Sequence, residues 1–385
     1  MAFDFTNRHP YECDARDLLT PALAIYPELV RHNTKRSIEI LGGYPARWRP
    51  HLKTVKLGSV VKLLVDAGVI TAKCATTLEL LVACESGMRD VLVAFPHTGA
   101  NARRIAEIAD EHGDVRVSAM VESPEQISDW AGTRIGLFID VNPGMDRTGI
   151  GQDLLPQIVQ LAGSITAAGL AFRGIHFYDG HSTEEDLGAR IAAAAKRYER
   201  LLEIVSALEE TGIRVPQVIT AGTPAFPCAL AFEGFRGASF SHQVSPGTIV
   251  YNDATSIAQL PAEFDLRPAV VVISRVVSHP KAGVITCDAG HKSVSVDSGV
   301  PNCVVLGEPG FVPLKPSEEH LPIAVPGGTA LPQRGSLLYL IPRHVCPTVN
   351  NFDYAAMIER GQIVSVARVD ARGREAPQMA MAHSG

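Results

Sequence analysis

One lysine in a short extended segment is the first side chain of this sequence that could carry out covalent chemistry. Residues 49–56 read RPHLKTVK, and a residue before proline is disfavoured in a helix, so a strand is predicted over 49–56. Lys53 is therefore predicted near the end of that strand. A lysine buried there is unfavourable unless it has a use, and one such use is a Schiff base with a carbonyl compound. A lysine that keeps its ammonium group in water is the alternative.

Two turns rich in glycine and threonine each follow another predicted strand. AGTP spans 221–224 and SPGT spans 245–248. Backbone N–H groups and hydroxyls in such turns can bind phosphate, although either turn alone is also an ordinary loop. The candidate phosphate-binding residues are Gly222, Thr223, Gly247 and Thr248.

Three further polar side chains follow predicted strands. Arg147 lies in NPGMDRTGI, where turn residues could hold its planar cation against an oxyanion. Tyr178 and His181 lie in HFYDGH, and alternation along a strand places Tyr178 on the same face as His176. The turn at Gly180 leaves the direction of His181 open. A surface arginine and a buried structural tyrosine are the alternatives.

A histidine and a cysteine two residues apart, His344 and Cys346, form the strongest metal-binding signal. In a β conformation, residues i and i+2 share a face, so the pair is predicted to present a nitrogen and a sulfur on one side of a strand. These donors suit zinc, and two protein ligands leave positions open for water or substrate, which is typical of a Lewis-acid site. A core cysteine beside a chance histidine is the alternative.

The elements that must position these residues alternate regularly up to about residue 255. Eight short apolar strands are predicted, at 49–56, 69–74, 90–95, 116–121, 135–141, 172–178, 216–221 and 240–244. Amphipathic helical patterns lie between them. This alternation predicts an α/β fold with a (β/α)8 TIM barrel, whose active site would lie at the carboxyl ends of the strands. A doubly wound sheet is the alternative fold.

A second, C-terminal β-rich domain is predicted after the barrel, because short β-like segments follow one another without long helices. Its predicted strands are 268–278, 283–288, 292–297, 302–306, 336–341 and 362–369. We predict a barrel over 21–255 and a β-rich domain over 256–373. Residues 1–20 are predicted to join the β-rich domain. A disordered tail is predicted over 374–385.

Composition points to a small-molecule ligand. The net charge of the 385 residues is −6, and no basic stripe is present, which argues against nucleic acid or an anionic membrane as partner. The N-terminus lacks the pattern of a secretion signal, and no uncharged run is long enough to span a membrane, so a cytoplasmic location is expected. The seven scattered cysteines suit reduced thiols.

Taken together, the motifs resemble those of the D-threonine aldolase and D-serine dehydratase family, which are pyridoxal 5'-phosphate (PLP) enzymes of the alanine racemase fold type. The motifs that carry the resemblance are RPHLKT, the arginine turn, YDGH, GTP, PGT followed by Asp253, DAG at 288–290 with Lys292 and Asp297, SEEH at 317–320, and HVCPT. The resemblance covers nearly the whole chain. It implies a PLP-binding barrel with a β-rich domain, working as a homodimer with active sites near the interface.

The resemblance also implies a role for each candidate residue. Lys53 would form the Schiff base with PLP, Arg147 would contact its phenolic oxygen, and Tyr178 would lie by its pyridine nitrogen. The four glycine and threonine residues of the two turns would hold the phosphate. His344 and Cys346 would bind a divalent metal, zinc in first place, with Mn²⁺ or Mg²⁺ as alternatives.

A D-3-hydroxy amino acid is the implied substrate, and two lyase reactions on it are open. Dehydration gives a 2-oxo acid and ammonia, whereas retro-aldol cleavage gives glycine and an aldehyde. His-x-Cys resembles the dehydratase branch, because the aldolase branch usually carries His-x-Asp, so dehydration is favoured. Two departures from the family bear on this choice: Val55 replaces a usual histidine, and Thr183-Glu184 occupies the stretch where aldolases carry one. His181 could still act as a hydroxyl base; a racemase and a non-catalytic PLP-binding protein are the remaining alternatives.

Overall fold

The computed structural model describes residues 3–377 of the chain. Its strands are, in chain order, β1 Ala22–Ile25, β2 Thr71–Cys74, β3 Asp90–Val93, β4 Arg116–Val121, β5 Gly136–Asn142, β6 Ile150–Gly151, β7 Phe172–His176, β8 Gln217–Thr220, β9 Ser241–Val244, β10 Val270–Lys281, β11 Val284–Cys287, β12 Cys303–Val305, β13 Val312–Pro313, β14 Leu321–Ala324, β15 Leu337–Pro342, β16 Tyr354–Glu359 and β17 Gln362–Arg368. Its α-helices are α1 Pro27–Ile40, α2 Gly58–Asp66, α3 Thr77–Glu85, α4 Gly99–Glu111, α5 Leu155–Ala167, α6 Leu187–Glu210, α7 Phe226–Ala231, α8 Ala254–Gln259 and α9 Val345–Val349.

Seven parallel strands form most of a barrel, paired in the order β2-β3-β4-β5-β7-β8-β9. Residues 48–52 close the ring, because Trp48 bridges Val244 of β9 and His51 bridges Lys73 of β2, both in parallel. The predicted (β/α)8 barrel is therefore confirmed. The doubly wound alternative is wrong, since an open sheet would leave β2 and β9 as unpaired edges.

The first predicted strand is shorter than expected, whereas the other seven overlap β2 to β5 and β7 to β9. Within 49–56 the strand-like pairing is limited to the isolated bridge at His51, and residues 52–55 form a turn. Pro50 has no N–H to donate, and Lys56 adopts a left-handed φ of 58° that ends any extension. Lys53 therefore lies in the turn directly after the closing segment.

The barrel strands are apolar because both of their faces are covered. Outside, the helices present apolar stripes at helical spacing; in α4 the buried residues are Ala102, Ile105, Ile108 and Ala109. Inside, an apolar cluster separate from the main core takes one residue from each of four strands. Its members are Leu92, Met120, Phe138 and Ile219. Side chains of this kind fill the interior of a barrel and leave function to the loops at the strand ends.

A second sheet has the order β13-β14-β11-β10-β1-β16-β17, with β15 pairing β10 and β12. The first strand of the chain, β1, lies inside this sheet, antiparallel to β10 and parallel to β16. The predicted strand at 292–297 is wrong, because those residues form a turn. The strand-rich second unit is confirmed, while the domain boundaries at 21, 255 and 373 stay predictions.

Three further findings concern the membrane, the cysteines and the C-terminal tail. No helix within residues 3–377 combines the length and apolar character needed to cross a membrane. All seven cysteines fall in this part of the chain, and none of them forms a disulfide. Most of the tail predicted to be disordered, 378–385, lies outside the described residues.

Candidate active site

A cavity of about 260 Å³ lies where the loops after the barrel strands meet the turn that follows β15. Eight of the ten residues singled out from the sequence line it, namely Lys53, Tyr178, Gly222, Thr223, Gly247, Thr248, His344 and Cys346. Arg147 and His181 do not line it. Residues from distant parts of the chain thus converge on one site, as they must if one ligand is to contact them all.

Lys53 is placed by the turn that begins after His51. Its backbone N–H donates to His51 Nδ1 at 3.2 Å, and its side chain enters the cavity. Burial, followed by the charges of Lys53 and Lys73, holds the pKa of His51 well below its usual range. His51 is therefore a neutral acceptor that orders the turn, rather than a competing cation.

The two glycine-threonine turns form one wall of the cavity, after β8 and after β9. Within residues 3–377 the backbone N–H groups of Gly222, Thr223 and Gly247 donate to no protein acceptor. A Cβ atom at Gly247 would lie 2.5 Å from the His51 carbonyl oxygen, and one at Gly222 would lie 2.8 Å from the Tyr178 ring. Unpaired N–H groups beside glycines, where a ligand can approach the backbone closely, suit an anionic group such as a phosphate.

Tyr178 forms part of the wall, and cations lie against its ring. Arg147 Cζ is 4.8 Å and Lys73 Nζ is 5.3 Å from the ring centroid. Arg147 contacts the site through this ring, and together with Asp140 and Thr148 it borders a smaller cavity that Tyr178 also lines. Cation–π contact of this kind fixes the ring without using its hydroxyl.

A buried hydrogen-bonded chain beneath Tyr178 was missed by the sequence reasoning. Lys73 Nζ is 3.0 Å from His176 Nε2, and His176 Nδ1 is 2.7 Å from Asp140 Oδ1. Thr148 Oγ1 donates to the other oxygen of Asp140 at 2.8 Å. The available signal was Lys73 itself, a charged residue in a predicted strand that was otherwise apolar and buried on both faces.

His344 and Cys346 both line the cavity, but they do not share a strand face as predicted. Strand β15 ends at Pro342, His344 is the residue that precedes α9, and Cys346 lies in the first turn of that helix. Asp253 holds this helix start, because its Oδ2 accepts from the N–H of Val345 at 3.0 Å. The pair is thus positioned by a helix N-terminus.

The environment of the pair favours a thiolate on Cys346 and an imidazolium on His344, so a bound cation would have to displace the imidazolium proton. Cys346 Sγ lies 2.9 Å from Thr54 Oγ1, and His344 Nδ1 lies 2.5 Å from Asp297 Oδ2. Burial opposes a thiolate, but His344, Lys53 and Thr54 outweigh it and lower the pKa of Cys346. Burial also opposes an imidazolium, yet Cys346 and Asp297 raise the pKa of His344 to about 9.

These two residues fit a divalent metal only as part of a ligand set. A carboxylate bound to the second ring nitrogen is the usual support of a metal-binding histidine, and a low thiol pKa favours the thiolate that binds metals. The described part of the chain contains no cluster of three or more histidine, cysteine, aspartate or glutamate residues arranged for a metal. Water or substrate would have to supply the remaining ligands, as in an open catalytic site.

His181 lies beside the site rather than in it. The cavity is lined by Gly180 and Thr183, the neighbours of His181 in the turn, and not by the imidazole. Its Nδ1 is buried without a partner among the described residues, and burial together with Arg197 lowers its pKa. Any role as a base would need a rearrangement of the turn at Gly180.

Comparison with known proteins agrees with this architecture. Residues 25–255 match the family described as "Alanine racemase, N-terminal domain", and residues 269–358 match "Putative serine dehydratase domain". The chain is 27% identical over 380 residues to a 3-hydroxy-D-aspartate aldolase of Paracoccus denitrificans (strain Pd 1222), covering 94% of each chain. It is 25% identical over 378 residues to a D-threo-3-hydroxyaspartate dehydratase of Delftia sp. (strain HT23), covering 91% and 97%. The crystal structure of a D-threonine aldolase from Filomicrobium marinum gives a TM-score of 0.83 at 27% identity, covering 93% and 96%.

A (β/α)8 barrel joined to a β-rich sheet, with a lysine and two glycine-threonine turns at the strand ends, is the architecture of the alanine racemase fold. The chain belongs to the alanine racemase N-terminal domain family and, within it, to the D-threonine aldolase and D-serine dehydratase group of PLP-dependent lyases. The resemblance inferred from the motifs is therefore confirmed.

Proposed function

We propose that this chain is a PLP- and divalent-metal-dependent lyase that dehydrates and deaminates a D-3-hydroxy amino acid, giving a 2-oxo acid and ammonia. The observation that carries the proposal is the single cavity lined by Lys53, the two phosphate-type turns, and the pair of His344 and Cys346. Zinc is the metal that an imidazole and a thiolate favour, with Mn²⁺ or Mg²⁺ as alternatives. We also propose a cytoplasmic homodimer with active sites near its interface.

The residues singled out in the cavity have distinct parts in this reaction. When bound, PLP supplies an electron sink for the α-carbon of the substrate. Lys53 holds the cofactor and, once released, takes the α-proton. The free N–H groups and the hydroxyls of Thr223 and Thr248 orient the phosphate. His344 and Cys346 would hold the cation, a Lewis acid that neutralises the charge on a departing hydroxide.

The atoms of the dehydration balance without an oxidant. The substrate loses a proton from Cα to Lys53 and hydroxide from Cβ, which together make one water. The unsaturated amine that leaves the site then takes up one water and releases ammonia. The net products are a 2-oxo acid and ammonia, so neither an external electron acceptor nor a second substrate is required.

Retro-aldol cleavage is the second candidate, and two relatives favour it, namely the 3-hydroxy-D-aspartate aldolase and the D-threonine aldolase. Cleavage of Cα–Cβ needs a base at the substrate hydroxyl. His181 was the sequence candidate for that base, and its position outside the cavity lining counts against it. The thiol of Cys346 in the pair further supports dehydration, through the resemblance of His-x-Cys to the dehydratase branch.

The products from D-serine and D-threonine separate these candidates. We expect pyruvate from D-serine, 2-oxobutyrate from D-threonine and ammonia from both, measured by chromatography and an ammonia assay. EDTA treatment should remove this activity, and added zinc should restore it. Glycine and acetaldehyde from D-threonine would instead support cleavage, and L-serine from D-serine would support a racemase.

If the two turns bind phosphate, loss of their threonine hydroxyls should weaken PLP binding without abolishing it. The double variant Thr223→Ala and Thr248→Ala should bind PLP more weakly by about 1 kcal/mol per lost hydroxyl, the usual value of one hydrogen bond. Equilibrium dialysis of PLP against the apoenzyme measures this difference. Thr166→Ala is the matched control, because the Thr166 hydroxyl bonds within α5 and lies away from the cavity. Unchanged PLP affinity in the double variant would contradict this placement.

A further inference from the structure

Lys73 is buried in the barrel interior, and no carboxylate within residues 3–377 contacts it. It is the third residue of β2, its exposed fraction is 1%, and it pairs in register with Leu92 of the interior cluster. A buried ammonium group normally has a carboxylate partner. Lys73 instead contacts a histidine, His176, so the reason for its presence must lie in that contact.

The two hydrogen bonds of His176 show which atom donates at each step from Lys73 to Asp140. Asp140 is ionised. Burial raises the pKa of its carboxyl group, but the hydrogen bonds from His176 and Thr148 outweigh burial and lower the pKa. His176 Nδ1 must therefore carry the hydrogen that it donates to Asp140. Nε2 of the neutral ring is then an acceptor, and Lys73 donates to it. A second proton on His176, at Nε2, would make that N–H face the ammonium group of Lys73, so that two donors would lie against each other.

The charges around Lys73 make it easy to deprotonate. Besides His176 and Asp140, the charged and titratable groups that face it are Lys53, His51, Arg49 and Arg147. Burial, then the charge of Lys53, lowers the pKa of Lys73 to about 7, although Asp140 acts in the opposite direction. Lys73 is therefore cationic at mildly acidic pH and loses its proton as the pH rises through neutrality.

Lys73 is also separated from the cavity by a single ring. Its Nζ lies 5.3 Å from the ring centroid of Tyr178, and that ring lines the cavity. An ammonium group at this distance polarises an aromatic ring, and the effect is strong where water is excluded. The charge of Lys73 is thus felt at the cavity wall, even though the amine itself cannot contact a ligand there.

We propose that Lys73 is a positioning residue that tunes the cofactor site. Its ammonium group is held by His176, which Asp140 orients, and it acts on bound PLP through the ring of Tyr178. The proposal rests on the proposed function, in which PLP lies against Tyr178. It adds a second lysine to the site, one that sets the electric field at the cofactor rather than bonding to it.

The test is a pH titration of the absorbance of bound PLP in the purified holoenzyme. The wild-type spectrum should change with a midpoint well below the usual pKa of a lysine, because burial, which PLP does not remove, is the largest cause that lowers the pKa of Lys73. Lys73→Met keeps the length of the side chain without its charge and should remove this transition. Lys73→Arg should hold the low-pH spectrum throughout. Asp140→Asn removes the charge that favours the ammonium form, so its midpoint should fall by about one pH unit.

The control is Lys62→Met, because Lys62 is an exposed lysine of α2 paired with Asp66 and should leave the midpoint unchanged. The same midpoint in wild type and Lys73→Met would overturn the proposal. If Lys73→Met does not fold, as judged by circular dichroism, an unchanged midpoint in Asp140→Asn would overturn it equally. A wild-type protein that binds no PLP would contradict the proposed function itself, which separates the two failures.

Discussion

Lys53→Ala is expected to abolish covalent attachment of PLP while leaving the protein folded. Lys53 is the only lysine among the described residues that line the cavity, and its backbone is held by His51. Borohydride reduction of the wild-type holoenzyme should fix PLP to the peptide that contains Lys53, and mass spectrometry should find no such adduct in the variant. Turnover should fall by about 10³-fold or more, because the same amine takes the α-proton.

Lys56→Ala is the matched comparison, since Lys56 is only three residues away but points elsewhere. Its Nζ pairs with Glu79 at 2.8 Å and donates to the carbonyl of Ala371 at 3.1 Å, and both members of the ion pair are buried. Removing it should lower the free energy of unfolding by about 3 kcal/mol, because a buried carboxylate is left unpaired. The adduct on Lys53 should remain. An adduct on Lys56 or Lys73 would show that the attachment site is wrong.

The barrel was predictable because its strands have a local signature. Strands covered on both faces read as apolar runs, and seven of the eight predicted runs coincide with strands of the ring. The closing segment was harder, since its pairing depends on Val244 and Lys73, which are distant in sequence. No local pattern distinguishes a segment with two isolated bridges from a full strand that contains a proline.

The second sheet shows a similar limit. Strand β1 is a short apolar run that the sequence assigned to the barrel range, but its partners are β10 and β16 near the other end of the chain. Strand pairing between distant segments depends on the whole fold, and sequence periodicity carries no information about it. The apolar character of Leu23 and Ile25 is equally compatible with either location.

The site was predicted residue by residue only where a motif existed. Glycine and threonine turns, the lysine and the His-x-Cys pair are local signals, and all of them line the cavity. The contacts of Lys73 with His176 and of His176 with Asp140 join three strands, so spacing along the chain could not reveal them. The same limit applies to the conformation of His344 and Cys346, because Asp253 decides that a helix starts there.

Removal of either proposed metal ligand is the second change with a large expected effect. His344→Ala and Cys346→Ala should both bind less than the one zinc per chain expected for the wild type, as measured by elemental analysis. Both should keep the covalent PLP adduct on Lys53, because that bond needs no metal. Cys13→Ala is the control, since Cys13 is a free cysteine that does not line the cavity.

Turnover of D-serine should nevertheless collapse in both ligand variants, because hydroxide leaves poorly unless its charge is neutralised. A bound cation contributes several kcal/mol to this step, which corresponds to a loss of about 10³-fold.

Cys346→Asp then distinguishes the two lyase reactions. A carboxylate makes the donor set harder, so the variant should prefer Mn²⁺ or Mg²⁺ to zinc, and its products from D-threonine should shift from 2-oxobutyrate toward glycine and acetaldehyde. Full turnover by wild-type protein after exhaustive chelation, with elemental analysis confirming that no metal is left, would remove the metal from the proposal.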